Sequence, residues 1–175
     1  MDAFTGLLNP PVYVVTAATG DGRRAGCLVG FASQCSLDPT RFAVWLSKAN
    51  HTYDLALEVR TLAVHLLPHD RHDLAERFGS LCSAETDKFA GLPWHEGPDG
   101  TVVLDDALGW FTGRVHERVD GGDHVAFILD PVLTRAAGTS GTENTEGTEG
   151  TEGTAEERAA LTLHGVGDID AGHPA

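Results

Sequence analysis

The residues best suited to chemistry stand at positions 47–55, in the stretch SKANHTYDL. Lys48 ends an apolar run, and Asn50, His51 and Thr52 open a segment whose apolar residues have helical spacing. The first turn of a helix has unpaired backbone N–H groups and the positive end of the helix dipole. With a lysine and short polar side chains beside it, such a turn is typical of a phosphate site. An ordinary capped helix with a surface lysine is the alternative interpretation.

A second stretch, GCLVGFASQCSLDP at residues 26–39, is apolar enough for a strand but contains glycines and clustered polar residues. Gly26 and Gly30 would let a flat ligand approach the backbone closely. Ser33 and Ser36 would add hydroxyl partners at the far end. A strand with a glycine bulge and a satisfied polar end is the alternative. A phosphate site beside a backbone face for a planar heteroaromatic ring predicts a mononucleotide such as FMN.

Other chemistry-bearing residues give weaker signals. His124 follows a Gly-Gly-Asp turn and opens a strand, so it either caps the strand or contacts a nicotinamide or flavin edge. The remaining histidines form no metal-binding motif, and we predict no metal site. Three cysteines without C-x-x-C spacing favour neither a disulfide scaffold nor a zinc site. Cys27 and Cys35 are therefore predicted to be small core residues.

Composition limits the functional classes. The 175 residues suit one domain, and a hydrophobic content of 41% is enough for a folded core. The net charge of −14 argues against nucleic acid or an anionic membrane surface as the main partner. There is no signal-like N-terminus and no apolar run of about 20 residues, so a cytoplasmic protein is expected.

The pattern of β-branched residues, turn formers and helical spacing predicts a mainly β chain with short connecting helices. A doubly wound sheet is disfavoured, and a closed or partly closed antiparallel barrel is the better class. The predicted strands are residues 11–19, 26–39, 41–47, 61–67, 107–119, 124–133 and 160–166, the clearest hairpin being the one turned at 120–123. The predicted helices are residues 51–59, 71–80 with Asp70 as its cap, and 84–91 with Ser83 as its cap, and residues 92–107 are predicted to be a loop.

The segment at residues 138–158 has a different composition from the rest. It repeats Thr-Glu-Gly three times from Thr145 and is almost free of apolar residues. Such a segment cannot bury enough surface to offset the entropy of ordering it. We therefore predict a disordered acidic insert that separates a barrel at residues 1–137 from its last strand and tail at residues 159–175.

These landmarks, in this order, resemble the flavin reductase-like, FMN-binding split β-barrel family, which includes the reductase components of two-component flavin monooxygenases. PVYVVTAATGDGRRAG resembles the first hairpin of the family, and CLVGFASQCSLDP resembles its flavin-binding strand, which usually reads G-M-T-V-S-S-F-x-S-V-S-L-D-P-P. RFAVWLSKANHTYDL resembles the next strand with its phosphate-binding turn. LAVHLLPHDRHDLAERF, DKFAG and GDHVAFILDPV resemble three later landmarks, and the likeness spans residues 1–133.

The resemblance implies a Greek-key split barrel and a homodimer with FMN, or alternatively FAD, at the subunit interface. It implies hydride transfer from NADH or NADPH to flavin N5, with no protein acid or base required. The implied site residues fall into four groups: Lys48, Asn50, His51 and Thr52 at the phosphate; the backbone of Cys27, Leu28, Val29 and Gly30 along the ring; Ser33, Cys35 and Ser36 at the ribityl chain or ring edge; and His124 near the nicotinamide.

Two departures from the family pattern keep other functions open. Leu28 and Gly30 stand where the family often has Thr and Ser, and Thr40 replaces a second proline. The leading hypothesis is an NAD(P)H-dependent FMN reductase that supplies reduced flavin to a partner monooxygenase. The alternatives are a flavoenzyme that holds FMN tightly and acts on another substrate, and a non-catalytic flavin- or haem-binding protein.

Overall fold

The computed structural model describes residues 2–81, 86–136 and 159–169. Within these ranges the chain forms nine strands and three α-helices. The strands are β1 (Tyr13–Ala18), β2 (Arg24–Val29), β3 (Ala32–Leu37), β4 (Thr40–Ser47), β5 (Thr61–Leu66), β6 (Trp94–Glu96), β7 (Val102–Leu104), β8 (Gly109–Asp120) and β9 (His124–Ala136). The helices are α1 (Asp2–Thr5), α2 (His51–Glu58) and α3 (His72–Ser80). No helix among the described residues is long and apolar enough to cross a membrane.

Seven strands form one antiparallel sheet in the order β2-β1-β5-β8-β9-β4-β3. The prediction of a mainly β, antiparallel chain is therefore confirmed, including the long β8–β9 hairpin. Among the described residues no ladder joins the edge strands β2 and β3, so closure into a barrel stays a prediction.

The first apolar core lies inside the curve of this sheet and is covered by α2. Side chains from β2 near one edge of the sheet and from β4 near the other line the same core, so the sheet bends strongly around it. The residues that make this contact from the two strands are Ala25, Cys27, Val29, Val44 and Leu46. Leu55 and Ala56 of α2 are almost fully buried against it.

A second apolar core lies on the outer face of the sheet, beneath α3 and a two-stranded ladder of β6 and β7. The prediction of a loop over residues 92–107 was wrong for these strands. The three residues of β7 are buried, and Oγ1 of Thr16 donates to the Val102 carbonyl at 2.6 Å. This small ladder forms because it covers an apolar sheet face that would otherwise meet water.

The predicted strand at residues 26–39 is two strands that belong to different edges of the sheet. β2 pairs with β1, whereas β3 pairs with β4, and the chain changes partner at Gly30 and Phe31. Among the described residues both strands are therefore edge strands, each with a strand partner on one side.

The predicted strand at residues 160–166 was wrong. Residues 159–163 lie between the extensions of β1 and β5, with Val12 N–H donating to Leu161 O and Leu161 N–H to Leu67 O, both at 2.9 Å. Only isolated bridges form, at Pro11 and Pro68, and the chain then turns into a short 3₁₀ helix. The backbone bonds at each bridge come from the residues on either side of the proline, and the extended segment ends where the 3₁₀ helix begins at Leu163.

Three further sequence predictions concern helix caps, a third helix and the acidic insert. Asp70 does not cap α3, because the helix begins at His72 and Arg71 at the cap position makes no side-chain cap bond. Residues 86–91, the described part of the third predicted helix, form turns. Its cap Ser83, Cys82 and the acidic insert at residues 138–158 lie outside the described ranges.

His65 is a fully buried side chain that joins three parts of the fold. Its Nδ1 donates to the Val14 carbonyl at 2.9 Å, and its Nε2 accepts the Leu104 N–H at 3.1 Å. The second bond requires Nε2 to be unprotonated, so the ring is neutral. Burial lowers the pKa of His65 from 6.5 to about 4.

We expect the free energy of unfolding to fall as the pH is lowered from 6.5 towards 4. The unfolded chain binds a proton on His65 throughout this window whereas the folded chain does not, so acid favours unfolding. The full pKa difference corresponds to about 3 kcal/mol. Urea unfolding at several pH values should show a shallower pH dependence for His65→Gln than for the unaltered chain.

His69 provides the control for this measurement because its side chain is exposed. His69→Gln should keep the full pH dependence. Equal slopes for His65→Gln and the unaltered chain would contradict a buried neutral His65.

Candidate functional site

The N-terminal turn of α2 forms as the sequence predicted. Oδ1 of Asn50 accepts the Thr52 N–H at 2.9 Å, and Asn50 has the extended backbone of an N-cap. Thr52 is fully buried, and its Oγ1 makes no hydrogen bond of normal geometry, although it lies close enough to the Cys27 thiol to oppose the rise of its pKa. The Thr52 hydroxyl therefore faces the core, and the turn presents Asn50 and His51 at the surface.

Lys48 lies beside this turn and is held by the β8–β9 connection. Its Nζ lies 2.9 and 2.8 Å from the two carboxylate oxygens of Asp120, and its backbone N–H donates to Asp123 O at 2.9 Å. Asp120 also accepts the Gly122 N–H, and the hydrogen bond from Lys48 lowers the pKa of Asp120. Both side chains are exposed, so this ion pair contributes little to stability and leaves the ammonium accessible to a ligand.

His124 stands next to the same connection because it pairs with Ser47 at the end of β4. Its Nδ1 lies 3.1 Å from a carboxylate oxygen of Asp123, and its ring meets Phe31 edge-on, with centroids 5.5 Å apart. The hydrogen bond with His124 lowers the pKa of Asp123. The fold therefore brings His124, Lys48 and the first turn of α2 to one end of the sheet.

The backbone of β2 directs half of its peptide groups to β1 and the other half to the opposite edge of the strand. Alternate residues of an antiparallel strand turn their N–H and C=O groups to opposite sides. Gly26 turns its carbonyl away from β1, where it accepts Nζ of Lys88 at 3.0 Å. Leu28, two residues further on, therefore directs its N–H and C=O towards the same open edge.

The side chains of β2 alternate between the two apolar cores. Cys27 and Val29 are buried in the inner core, and burial raises the pKa of Cys27 to about 11, which makes it an unreactive thiol. Leu28 packs against the outer core beside α3. The structure thus supports a backbone role for this strand and leaves its side chains to packing.

The sequence suggested that Gly26 and Gly30 leave space for a ring, but on the side where a Cβ atom would stand that space is filled by the chain itself, both at Gly26 in β2 and at Gly30 just after it. A Cβ atom on Gly26 would lie 2.7 Å from the Phe78 ring and 3.3 Å from the Phe89 ring. A Cβ atom on Gly30 would lie 3.3 Å from a methyl carbon of Leu163. Both close approaches serve packing within the chain.

β3 carries the polar residues predicted at the ring edge. Within the described part of the chain it pairs with β4 alone, and a bulge interrupts the ladder between Gln34 and Ser36. Ser33 and Cys35 are exposed and Ser36 is half-buried, so the prediction of Cys35 as a core residue was wrong. A groove of about 610 Å³ is lined by residues 34–38.

Sequence reasoning missed three features. Phe31 is 60% exposed and its ring contacts that of His124, and Asp120 supplies the counter-charge of Lys48. A second cavity, of about 820 Å³, includes Arg60 and Arg114 in its lining but shares no residue with the predicted site. Phe31 could have been found in the sequence as an apolar residue at a bend between strands. The contact of Asp120 with Lys48 could not, because it depends on how β4 pairs with β9.

Comparison with known proteins gives consistent matches over most of the chain. Residues 5–144 match the family model described as "Flavin reductase like domain". An FMN reductase (NADH), RutF, from Pseudomonas syringae pv. syringae is 31% identical over 123 residues, covering 70% of this chain and 67% of the relative. The reductase subunit HsaB of a flavin-dependent monooxygenase from Rhodococcus jostii is 33% identical over 107 residues, covering 58% of this chain and 53% of the relative.

A solved structure has a similar fold. The crystal structure of an FMN-binding protein from Thermus thermophilus with bound p-hydroxybenzaldehyde has a TM-score of 0.70 at 25% identity, covering 74% of this chain and 73% of that one. Some relatives are much longer. The chain spans only 40% and 54% of the length of two Rhizobium meliloti relatives that are 30% and 27% identical to it.

We expect Gly26→Ala to lower the free energy of unfolding by about 1–3 kcal/mol, because the added methyl group overlaps the Phe78 ring. Gly20→Ala is the matched control, since a Cβ atom there meets nothing within 4 Å. Urea unfolding of both variants measures the difference. A Gly26→Ala variant as stable as Gly20→Ala would disprove the packing role of Gly26.

Proposed function

The chain belongs to the flavin reductase-like family, as the order of its sequence landmarks predicted, and on that premise we propose that it is an NAD(P)H-dependent reductase of FMN. The observation that carries the proposal is the convergence of Lys48, the capped first turn of α2 and His124 at one end of the sheet. FMN, or FAD as the alternative, supplies the N5 atom that accepts hydride from the nicotinamide.

The phosphate of FMN is proposed to lie against Lys48, Asn50, His51 and the backbone of Thr52. The residues present fit an anion because an accessible ammonium stands beside a helix N-terminus. Asp120 already neutralises Lys48 in the chain alone, so a phosphate has to share this ammonium with a carboxylate.

The isoalloxazine ring is proposed to bind along the open edge of β2. The N–H and C=O groups of Leu28 match the alternating acceptors and donors on a flavin's polar edge, with the backbone of residues 27–30 along the ring. Ser33, Cys35 and Ser36 are proposed to contact the ribityl chain or the ring edge, which the exposure of β3 and the groove at residues 34–38 support.

His124 is proposed to orient the nicotinamide. Its ring is partly exposed and is fixed by Asp123 and Phe31, so it can present an edge to a planar ligand. No protein acid or base would be needed, because the bound flavin would itself accept the hydride. The role of this chain is to bind and orient both of them.

The assembly is proposed to be a homodimer of split barrels with flavin at the interface. The β8–β9 hairpin exposes Val119 near its turn and Val132 and Leu133 near its open end, and β3 is an edge strand. A second copy would cover both surfaces. We further propose a cytoplasmic protein in which residues 1–137 and 159–175 form one unit and residues 138–158 are an insert. The bonds of Leu161 to Val12 and Leu67 support that division.

A flavin-dependent monooxygenase is the proposed recipient of the reduced flavin, since a relative is named as the reductase subunit of such an enzyme. NADH and NADPH oxidation by the purified chain, followed with and without added FMN, tests the activity. We expect NAD(P)H consumption that depends on FMN. Failure to bind FMN at micromolar concentration would disprove the proposal, and FMN binding without reduction would favour a non-catalytic carrier.

We expect Lys48→Ala to weaken FMN binding by about 1–3 kcal/mol, the usual size of one charge-assisted contact. Arg135→Ala, at the other end of the β8–β9 hairpin, is the charge-matched control and should leave affinity unchanged. Titration of flavin fluorescence measures both dissociation constants. An unchanged affinity in Lys48→Ala would place the phosphate elsewhere.

A further inference from the structure

The segment at residues 159–169, here named the C-terminal strap, lies outside the part of the chain that matches the family model, which ends at residue 144. It is nevertheless an integral part of the fold. Leu161 and Val166 are buried in the outer core, and the backbone bonds of Leu161 hold the strap between β1 and β5. Nε2 of His72 on α3 lies at hydrogen-bond distance, 3.0 Å, from a carboxylate oxygen of Asp168.

The strap lies beside the end of β2, the proposed flavin strand. Leu163 sits over Gly30, where a Cβ atom would approach its methyl carbon to 3.3 Å. Ile169 and Leu28 both pack against Gly79 of α3. A Cβ atom on Gly79 would lie 2.9 Å from Ile169 and 3.3 Å from Leu28. The two positions at which this chain departs from the usual hydroxyl residues, Leu28 and Gly30, therefore pack on the strap or beside it.

This arrangement gives the departures a common physical cause. A serine in place of Gly30 would press a polar side chain against Leu163, and a threonine in place of Leu28 would leave its hydroxyl in the outer core. Leu28, Gly30 and Leu163 are each half-buried, so part of this apolar surface remains open beside the backbone edge of β2.

We propose that the strap is one wall of the flavin site and that Leu163 positions the ring against β2. This inference rests on the proposed function, because it concerns the same strand and the same ligand. The apolar wall takes the place of side-chain hydroxyls, so ring affinity comes from backbone hydrogen bonds and apolar contact. Leu163 is a positioning and specificity residue, and it takes no part in hydride transfer.

Leu163→Ala in the full chain tests the wall, with FMN as the probe. We expect the dissociation constant to rise about 3- to 10-fold as apolar contact with the ring is lost. Leu161→Ala removes the same atoms from the same strap but from the buried side that packs on the outer core. It should lower stability yet leave the FMN affinity of the folded protein unchanged, and Leu163→Met should restore most of the affinity.

A second measurement tests the contact without flavin. Gly30→Ala should lower the free energy of unfolding more in the unaltered chain than in Leu163→Ala, because the added methyl group competes with Leu163 for space. Additive effects would disprove the packing of the strap on β2. An unchanged FMN affinity in Leu163→Ala would disprove the role of Leu163 as a wall of the flavin site and leave the proposed function intact. Absence of FMN binding by the unaltered chain would instead overturn the proposed function itself.

Discussion

The pairing of β1 with β2 on one side and β5 on the other is the constraint on which the rest of the site depends. Because side chains alternate across a sheet, this register sends Cys27 and Val29 inward and Leu28 outward. The same alternation turns the peptide groups of Leu28 towards the open edge. A shift of one residue would exchange all of these directions at once.

Two acidic side chains hold the polar residues at the other side of the site. Lys48 forms an ion pair with Asp120 at the end of β8, and Nδ1 of His124 lies 3.1 Å from Asp123 in the turn that follows. The turn is therefore tied by its side chains to the end of β4 and the first turn of α2. Since these pairs are exposed, they hold the geometry with little energy and can be rearranged by an anionic ligand.

Features that depend on neighbouring residues could be predicted from the sequence. The β8–β9 hairpin, α2 and the Asn50 cap follow from local spacing and turn chemistry. The role of Gly26 could not be predicted, because Phe78 and Phe89 reach it from more than 50 positions away in the sequence. The exposure of Cys35 follows from the place of β3 at the edge of the sheet, which no pattern within residues 32–37 encodes.

Lys88 joins β2 to the last turn of α3. Its Nζ donates at 3.0 Å to the carbonyl of Gly26 on β2 and at 3.0 Å to that of Phe78 in the last turn of α3. A cation at a helix C-terminus is favourable, and burial strengthens both bonds. Ile169 of the C-terminal strap packs on Gly79 in the same turn of α3. The Lys88 ammonium therefore holds β2, which is proposed to bind the ring, against the helix on which the strap packs. The lysine of the DKFAG landmark therefore ties β2 to the end of α3 from within the core.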